Sequence, residues 1–195
     1  MLRIALGIPT NRLIKPKTAE SVMNLVAHSQ HEYEILISTR GYNTSENRNW
    51  IAAKAVNAGC DYLFFIDDDM ILPEDTLERL LEANKDIVGG IYLTKYELQA
   101  PVYELLPGTS QEEDVFEVAA IGTGAMLIKC EVFKKLPQPW FKYEWNDNGS
   151  VKRSHDWIFC EDARDAGFTV WADPTLDIKH IGQKIYENHI SHSDK

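Results

Sequence analysis

The feature of this sequence that most restricts its fold is a short apolar run, Tyr62 to Ile66, that stops abruptly at three consecutive aspartates. A continuous run of aromatic and aliphatic residues this short is typical of a strand buried on both faces. Such strands occur in parallel sheets whose two sides are covered by helices. The run therefore predicts an α/β protein in which this strand is central.

The segments before this run alternate between strand and helix patterns. Leu2 to Ile8 and Tyr33 to Ile37 have strand patterns, and each is followed by polar or turn residues. Thr18 can cap a first helix, and Ser45 to Asn57 contains an apolar helical stripe. The order strand, helix, strand, helix, strand predicts a parallel, Rossmann-like half with right-handed crossovers.

The second part of the chain has a different order of predicted strands and helices. Strand patterns at Val102 to Leu106, Val115 to Ala120 and Ala125 to Ile128 have little helix between them, which favours a mixed sheet added to the parallel half. Pro137 to Ser150, with its Pro, Trp, Asn and Gly residues, is interpreted as a mobile loop that carries aromatics. We predict a single domain over 1–195, with a parallel half at 1–92, a mixed-sheet half at 93–190 and a frayed tail at 189–195.

Length and charge exclude several classes of protein. The 195 residues suit one domain with a proper core. The formal net charge of −10 argues against a nucleic-acid partner, because phosphate backbones are bound by clustered Lys and Arg. No apolar run approaches the roughly 20 residues that span a bilayer, and the first residues open directly into a strand, so we expect a soluble, cytoplasmic protein. Cys60, Cys130 and Cys160 are widely separated and are expected to be buried free thiols.

Asp67, Asp68 and Asp69 follow the central strand, and ligands of open α/β sheets bind at the carboxyl ends of strands. Alternation along an extended chain would point Asp67 and Asp69 the same way. Neighbouring carboxylates repel each other unless a cation lies between them, and carboxylate oxygens suit Mg²⁺ or Mn²⁺. The alternative is a solvated loop or the N-cap of the next helix, since Pro73 to Asp75 is typical of a first helical turn.

Three blocks of the sequence, Phe64 to Pro73, Ile121 to Ile128 and His155 to Gly182, together resemble the metal-dependent glycosyltransferases of the GT-A fold. The compact family-2-like enzymes of bacteria, phages and large viruses are the most similar members. The resemblance extends over nearly the whole chain. A glycine-rich dinucleotide fingerprint and a P-loop are both absent from the sequence, so a nucleotide would have to be held by other means.

The register of the last block decides which acid is functional. The family has Glu-Asp, two variable residues and then Phe-Cys, which is Phe159-Cys160 here. This alignment places Asp156 at the family's acid and His155 where Glu is usual. Glu161 and Asp162 then fall within the helix, on the flank where charges are normally solvated.

The resemblance implies a fold, an activity and a cofactor. The fold would be a single GT-A domain, with a nucleotide-binding half at 1–92 and an acceptor-side half at 93–190. The activity would be transfer of a sugar from a nucleotide-diphosphate sugar of the UDP or GDP type to a glycan or another hydroxyl acceptor, with Mn²⁺ or Mg²⁺ as cofactor. A divalent ion that bridges both phosphates stabilises the charge growing on the leaving group.

The same resemblance assigns roles to residues. Asp69 would coordinate the metal, Asp67 would hold the ribose and assist the ion, and His180 would complete the coordination, unless it is an ordinary surface or core histidine. In an inverting reaction Asp156 would take the proton of the acceptor hydroxyl, although an Asp there also suits a plain helix N-cap. The donor-binding candidates are Pro9, Thr10, Arg40, Arg48, Asn49, Asp67 and Asp68.

The acceptor side has weaker candidates. Trp140, Trp145 and Trp157 suit the C–H-rich surfaces of sugars, but each fits a core position equally well. The segment Gly122-Thr123-Gly124 is either an acceptor-side element or a plain turn. Two other functions stay open: a sugar-phosphate nucleotidylyltransferase, whose basic glycine-rich N-terminal loop is missing here, and a non-catalytic module that binds a sugar or a metal.

Overall fold

An eight-stranded mixed sheet organises the computed structural model, which describes residues 1–11, 13–40, 43–95, 98–109 and 114–182. The tail predicted at 189–195 lies outside these residues. The helices are α1 (Pro16–His28), α2 (Thr44–Asn57), α3 (Thr76–Glu82), α4 (Cys130–Lys135) and α5 (His155–Asp165). The strands are β1 (Arg3–Pro9), β2 (Glu32–Ser38), β3 (Tyr62–Ile66), β4 (Met70–Ile71), β5 (Ile87–Gly90), β6 (Tyr103–Leu105), β7 (Phe116–Ile121), β8 (Ala125–Lys129), β9 (Glu144–Trp145), β10 (Val151–Arg153), β11 (Val170–Asp173) and β12 (Lys179–His180).

The strand order of the large sheet is β2-β1-β3-β8-β5-β11-β7-β6. Strand β1 is parallel to both β2 and β3, which confirms the parallel half predicted from the sequence. Strand β8 is antiparallel to β3 and β5, and β11 is parallel to β5 but antiparallel to β7, so the predicted mixed sheet is also present. Because β8 lies between β3 and β5, the segments 1–92 and 93–190 interleave in one sheet instead of forming two separate halves.

Two hydrophobic layers cover the two faces of the sheet. Leu63 and Phe65 pack with residues of α2, α4 and α5, whereas Phe64 and Ile66 pack with residues of α1 and α3. All four side chains are fully buried. The side chains of β3, which alternate between the two faces of the sheet, therefore contribute to both layers, as expected for a strand buried on both faces.

Two predicted helix starts are wrong. Helix α1 begins at Pro16 after Lys15, because proline at a first helical position already has the required φ angle, and Thr18 lies buried inside the first turn. Helix α3 begins at Thr76, so Pro73 to Asp75 precede it. The Pro73 carbonyl accepts hydrogen bonds from the backbone N–H and the hydroxyl of Thr76, which form a turn before the helix.

The segment Pro137 to Ser150, interpreted as a mobile loop, is attached to the core at Trp140 and Phe141, which are buried. Trp140 is buried in the layer beside α4, and its indole N–H donates to the carbonyls of Phe133 and Leu136 at 3.0 and 3.2 Å. Strands β9 and β10 form an antiparallel hairpin, in which Trp145 is 58% exposed.

The predicted state of the cysteines is confirmed, since Cys60, Cys130 and Cys160 are buried and free. Within the described residues, every helix is too short or too polar to cross a membrane.

Candidate functional site

The chain turns at the three aspartates. The Met70 N–H donates to the Asp67 carbonyl at 3.2 Å, which closes a turn between β3 and β4. Since this backbone is not extended, the alternation argument for Asp67 and Asp69 does not hold. The three carboxylates instead take three different sets of partners.

Asp67 is held by a buried arginine. Arg48 Nη2 donates to Asp67 Oδ1 at 2.7 Å, and the Arg48 side chain, only 3% exposed, lies over the ring of Phe65 at 5.3 Å. Within the described part of the chain, Nε and Nη1 of Arg48 are buried without a hydrogen-bond partner. Arg48, predicted to bind a donor, therefore lies behind Asp67 and fixes the orientation of this carboxylate.

Asp68 is tied to the end of β1. Thr10 Oγ1 donates to Asp68 Oδ2 at 2.5 Å, and the Thr10 N–H donates to the carbonyl of Ser38 at 2.9 Å. Burial raises the pKa of Asp68 above its ordinary value, and the hydrogen bond from Thr10 opposes this shift. The carboxyl ends of β1, β2 and β3 are thus joined around one acid.

Asp69 meets His180 because β12 pairs with β4. In that antiparallel pair His180 lies opposite Met70, and the Ile181 N–H donates to the Asp69 carbonyl at 2.8 Å. His180 Nε2 lies 3.2 Å from Asp69 Oδ1, and Nδ1 lies 2.8 Å from the carbonyl oxygen of Leu93. A carbonyl only accepts, so Nδ1 carries a proton and Nε2 is the nitrogen directed at Asp69.

A lysine occupies the other oxygen of Asp69. Lys95 Nζ contacts Asp69 Oδ2. Burial favours the neutral acid, but the contacts of Asp69 with His180 and Lys95 and the charge of Lys95 outweigh it, so the pKa of Asp69 lies below its ordinary value. Asp69 is therefore ionised at neutral pH, with both oxygens engaged.

These residues surround a cavity of about 610 Å³ at the carboxyl ends of β1 and β3. The structure brings six of the predicted site residues to its wall: Pro9, Thr10, Asp67, Asp68, Asp69 and His180. The sequence analysis missed the rest of the lining, which consists of Asn11, Leu13, Lys15, Thr44, Lys95 and Ile181. Asn11, Leu13 and Lys15 follow directly after Pro9-Thr10, so extending that strand end by a few residues would have found them.

Two predicted donor-binding residues lie elsewhere. Arg40 is exposed, and its guanidinium lies over the ring of Trp50 at 5.2 Å. The Asn49 side chain donates to the Phe141 carbonyl at 2.7 Å and accepts from the Phe141 N–H at 3.0 Å. This pair of bonds attaches α2 to the chain after α4, so Asn49 has a structural role and the prediction for it is corrected.

The first turn of α5 carries Asp156. Its Oδ1 accepts from the Trp157 N–H at 3.1 Å and from the Ser154 hydroxyl. The N-cap of α5 is Ser154, so the alternative that Asp156 is a plain N-cap is wrong. Asp156 lies outside the lining of the cavity. Its charge and that of Asp67 nevertheless add to the effect of burial in raising the pKa of Tyr92, which places both acids near one phenol.

His155 and the flank of α5 agree with the chosen register. His155 is buried, and burial together with the charge of Arg48 lowers its pKa to about 4, so its ring is neutral. Asp162, further along α5, pairs with Lys142 at 2.7 Å, and Glu161 contacts Arg153. Both flank acids are thus occupied at the surface.

The glycines of the Gly122-Thr123-Gly124 turn allow close packing beneath the acids. The Gly124 N–H donates to the hydroxyl of Tyr92 at 3.1 Å, and its carbonyl accepts from the Asp67 N–H at 3.0 Å. A Cβ at Gly122 would lie 2.3 Å from the Tyr92 hydroxyl, and one at Gly124 would lie 2.4 Å from Met70 Cε. The turn therefore supports the acids and makes no part of the cavity wall.

Two of the three tryptophans considered for the acceptor side, Trp140 and Trp157, differ in position. The burial and hydrogen bonds of Trp140 favour the core alternative for it over the acceptor side. Trp157 is only partly buried, and its indole N–H donates to Glu104 Oε2 at 2.6 Å. Trp157 thus stays available on α5, next to Asp156.

The arrangement of Asp69 and His180 suits a divalent ion. Groups of three or more His, Cys, Asp or Glu placed to hold a metal are absent from the described residues. Mg²⁺ commonly takes only one or two protein ligands and completes an octahedron with water and substrate phosphates. Adjacent ligands of such an ion at about 2.1 Å lie about 3 Å apart. The separation of 3.2 Å between Asp69 Oδ1 and His180 Nε2 matches that distance.

Comparison by sequence identifies nothing, because no protein-family model and no curated protein matches the chain. Comparison with solved structures identifies similar proteins. The chain is similar to A197 from STIV, with 19% identity and a TM-score of 0.61 over 93% of this chain and 86% of that one. It is also similar to GalNAc-T7 solved with UDP, GalNAc and Mn²⁺, with 11% identity and a TM-score of 0.65. The chain has the GT-A fold.

A third structure extends this result. This GT-A domain is similar to residues 1–349 of TarS from S. aureus, solved with UDP-GlcNAc, with 13% identity and a TM-score of 0.52. The alignments cover 95% and 96% of this chain but only 44% of GalNAc-T7 and 60% of TarS. The domain thus spans about half the length of those two proteins. The fold expected from the resemblance in the sequence is confirmed.

Proposed function

We propose that this GT-A domain is a divalent-metal-dependent glycosyltransferase that moves a sugar from a UDP- or GDP-type donor to a hydroxyl acceptor. The observation that most supports this proposal is the distance of 3.2 Å between Asp69 Oδ1 and His180 Nε2. Both residues lie on the wall of a cavity of about 610 Å³. Two structural neighbours that were solved with UDP and Mn²⁺ or with UDP-GlcNAc support this class of donor.

The cavity has the size and chemistry for a nucleotide diphosphate. Its volume lies within the range of about 300–1,000 Å³ that is usual for ligand pockets. Pro9 and Thr10 end β1 beside Asp68, which gives the base and ribose a wall of backbone and carboxylate groups. Asp67, oriented by Arg48, is proposed to accept hydrogen bonds from the ribose.

Asp69 and His180 would hold the metal. A divalent ion bound there would act as a Lewis acid on the diphosphate leaving group. The Leu93 carbonyl fixes the His180 tautomer so that Nε2 faces the site. Asp69 stays ionised, so it carries the negative charge that a metal ligand needs.

Asp156 is proposed as the general base of an inverting reaction. Its Oδ1 is bound within the first turn of α5, while Oδ2 has no hydrogen-bond donor among the described residues. Oδ2 is thus the oxygen that would take the proton of the acceptor hydroxyl during attack on the sugar. General-base catalysis of this kind contributes about 10²–10⁴ in rate.

The test is a panel of nucleotide sugars incubated with Mn²⁺ and simple sugar acceptors, with release of free nucleoside diphosphate as the readout. At least one donor is expected to be consumed by the wild type. Asp156→Asn should bind that donor normally but turn it over about 10²–10⁴ times more slowly. Asp162→Asn removes the same charge from the outer flank of α5 and should retain the wild-type rate.

Two results would contradict the proposal. If no donor is consumed and none raises the melting temperature, the site does not bind nucleotide sugars. If Asp156→Asn turns over at the wild-type rate, Asp156 is not the base.

A further inference from the structure

Lys95 contacts a carboxylate oxygen of Asp69 that a metal ion would bind. Its ammonium contacts Asp69 Oδ2, while His180 faces Asp69 Oδ1, so both oxygens of this carboxylate are engaged. The Lys95 side chain is 37% exposed and the Asp69 side chain 17%, and both residues line the cavity of about 610 Å³. A lysine ammonium and a divalent ion repel each other at contact distance. Metal binding at Asp69 therefore requires Lys95 to move.

One oxygen of each of the other two aspartates in the cavity wall is already bound. Asp67 Oδ1 is bound to Arg48 at 2.7 Å, and Asp68 Oδ2 is bound to Thr10 at 2.5 Å. The strongest anion that enters such a cavity with the metal is the diphosphate of the ligand itself.

We propose that Lys95 is an exchangeable cation, which holds Asp69 in the metal-free protein and binds the diphosphate once a divalent ion has taken its place. This inference rests on the proposed function. Lys95 is long and flexible and carries three donors, so it can move from a carboxylate to a phosphate oxygen of the same cavity. Asp69 thus has a cation beside it in both states: the Lys95 ammonium in the metal-free protein and the divalent ion in the loaded one.

The exchange couples the two ligands. Metal alone displaces Lys95 without giving it a new anion, so it binds weakly. Metal together with a diphosphate supplies that anion, so each ligand strengthens the binding of the other. Lys95 is thus a binding residue that opposes the metal and favours the nucleotide, and these opposite signs distinguish it from a residue with a purely structural role.

Two titrations test the exchange on the full chain. Mn²⁺ binding without nucleotide is followed by electron paramagnetic resonance of the free ion, and binding of UDP, GDP and the matching monophosphates is followed by calorimetry at saturating Mn²⁺. Lys95→Met keeps the length of the side chain and removes its charge. Lys15→Met is the control, because Lys15 lines the same cavity but makes no ion pair with a described carboxylate.

Lys95→Met is expected to bind Mn²⁺ alone about three- to tenfold more tightly than the wild type, the range for loss of a partly exposed, charge-assisted pair. The same variant should bind the nucleoside diphosphate about tenfold more weakly, with a smaller loss for the monophosphate. Lys15→Met should leave the affinity for Mn²⁺ alone nearly unchanged.

Equal Mn²⁺ affinity in the wild type, Lys95→Met and Lys15→Met would overturn the exchange and leave the proposed metal site intact. Tighter Mn²⁺ binding with an unchanged affinity for the diphosphate would also overturn it, since Lys95 would then be only a competitor. Failure of the wild type and both variants to bind Mn²⁺ in either titration would overturn the metal site, and the exchange with it.

Discussion

At the scale of single residues, the site consists of acids that are each held by a different partner. Arg48 orients Asp67, Thr10 binds Asp68, and Lys95 and His180 share Asp69. Asp69 has a second potential metal ligand, His180, beside it. The three acids are therefore not equivalent, and substitutions at them should have different effects.

Asp69→Asn is expected to weaken Mn²⁺ binding by at least about 100-fold, because it replaces an anionic ligand by a neutral amide. The measurement is a Mn²⁺ titration of the purified variant. Asp177→Asn is the control, since Asp177 is an exposed acid paired with Lys179 at 3.0 Å, close to His180 in sequence. A Mn²⁺ affinity that is the same in Asp69→Asn and Asp177→Asn would remove Asp69 from the metal site.

His155 should make the free energy of unfolding depend on pH. Its pKa is lowered to about 4 in the folded protein, mainly by burial, against about 6.5 for an unfolded chain. Between these values the unfolded state binds a proton that the folded state does not, so stability falls as the pH drops from about 6.5 to 4.

Urea unfolding at pH 7 and pH 4.5 measures this dependence. The wild type is expected to lose on the order of 2 kcal/mol more over this interval than His155→Gln does. His28→Gln, a change at a half-exposed histidine of α1, should resemble the wild type. An equal loss in the wild type and His155→Gln would show that His155 is not the group responsible.

At the scale of elements, the site depends on pairs of strands that sequence patterns do not detect. The buried strand β3 and the alternating strands and helices before it were predictable. A run of five consecutive apolar residues is typical of a strand buried on both faces. Strands β4 and β12 have two residues each, too few for any periodicity, yet their pairing brings His180 to Asp69. The position of Lys95 follows from the path of the chain after β5, which local sequence does not determine.

The same limit explains the errors. Trp140 and Asn49 have residue types that suit sugar or nucleotide binding, and composition alone does not distinguish those roles from core packing. Trp140 donates to the carbonyl of Phe133 in α4, and Asn49 donates to the carbonyl of Phe141, which joins α2 to the chain after α4. Only the folded structure assigns Trp140 to the core and Asn49 to the contact between α2 and Phe141.

Gly122→Ala tests the turn beneath the acids. The added Cβ would lie 2.3 Å from the hydroxyl of the buried Tyr92 and 2.6 Å from Val102, so overpacking should cost about 1–3 kcal/mol of stability. Tyr92 contacts the ring of His180 edge-on at 5.4 Å, so Mn²⁺ binding should weaken as well.

Thermal unfolding and a Mn²⁺ titration of Gly122→Ala give the two readouts. Gly182→Ala is the control, because a Cβ at Gly182 would meet nothing within 4 Å. If both variants melt together with the wild type, the close packing around Tyr92 does not constrain the turn.

At the scale of the whole molecule, metal and nucleotide should stabilise the domain together. A ligand present at 100 times its dissociation constant adds about 2.7 kcal/mol to the free energy of unfolding. For a domain of 195 residues this corresponds to a rise in melting temperature of about 5–10 °C. UDP or GDP should give this rise with Mn²⁺ and a much smaller one with a chelator. A rise of equal size in both conditions would mean that the nucleotide binds without a metal.

The most direct test of the central claim is a crystal structure of the protein with Mn²⁺ and the nucleoside diphosphate that binds it, with the ion located by anomalous scattering. We predict one Mn²⁺ peak within about 2.3 Å of both an Asp69 carboxylate oxygen and His180 Nε2, and a diphosphate bound to the same ion. A structure in which the nucleotide is bound but Asp69 and His180 contact no ion would contradict the account.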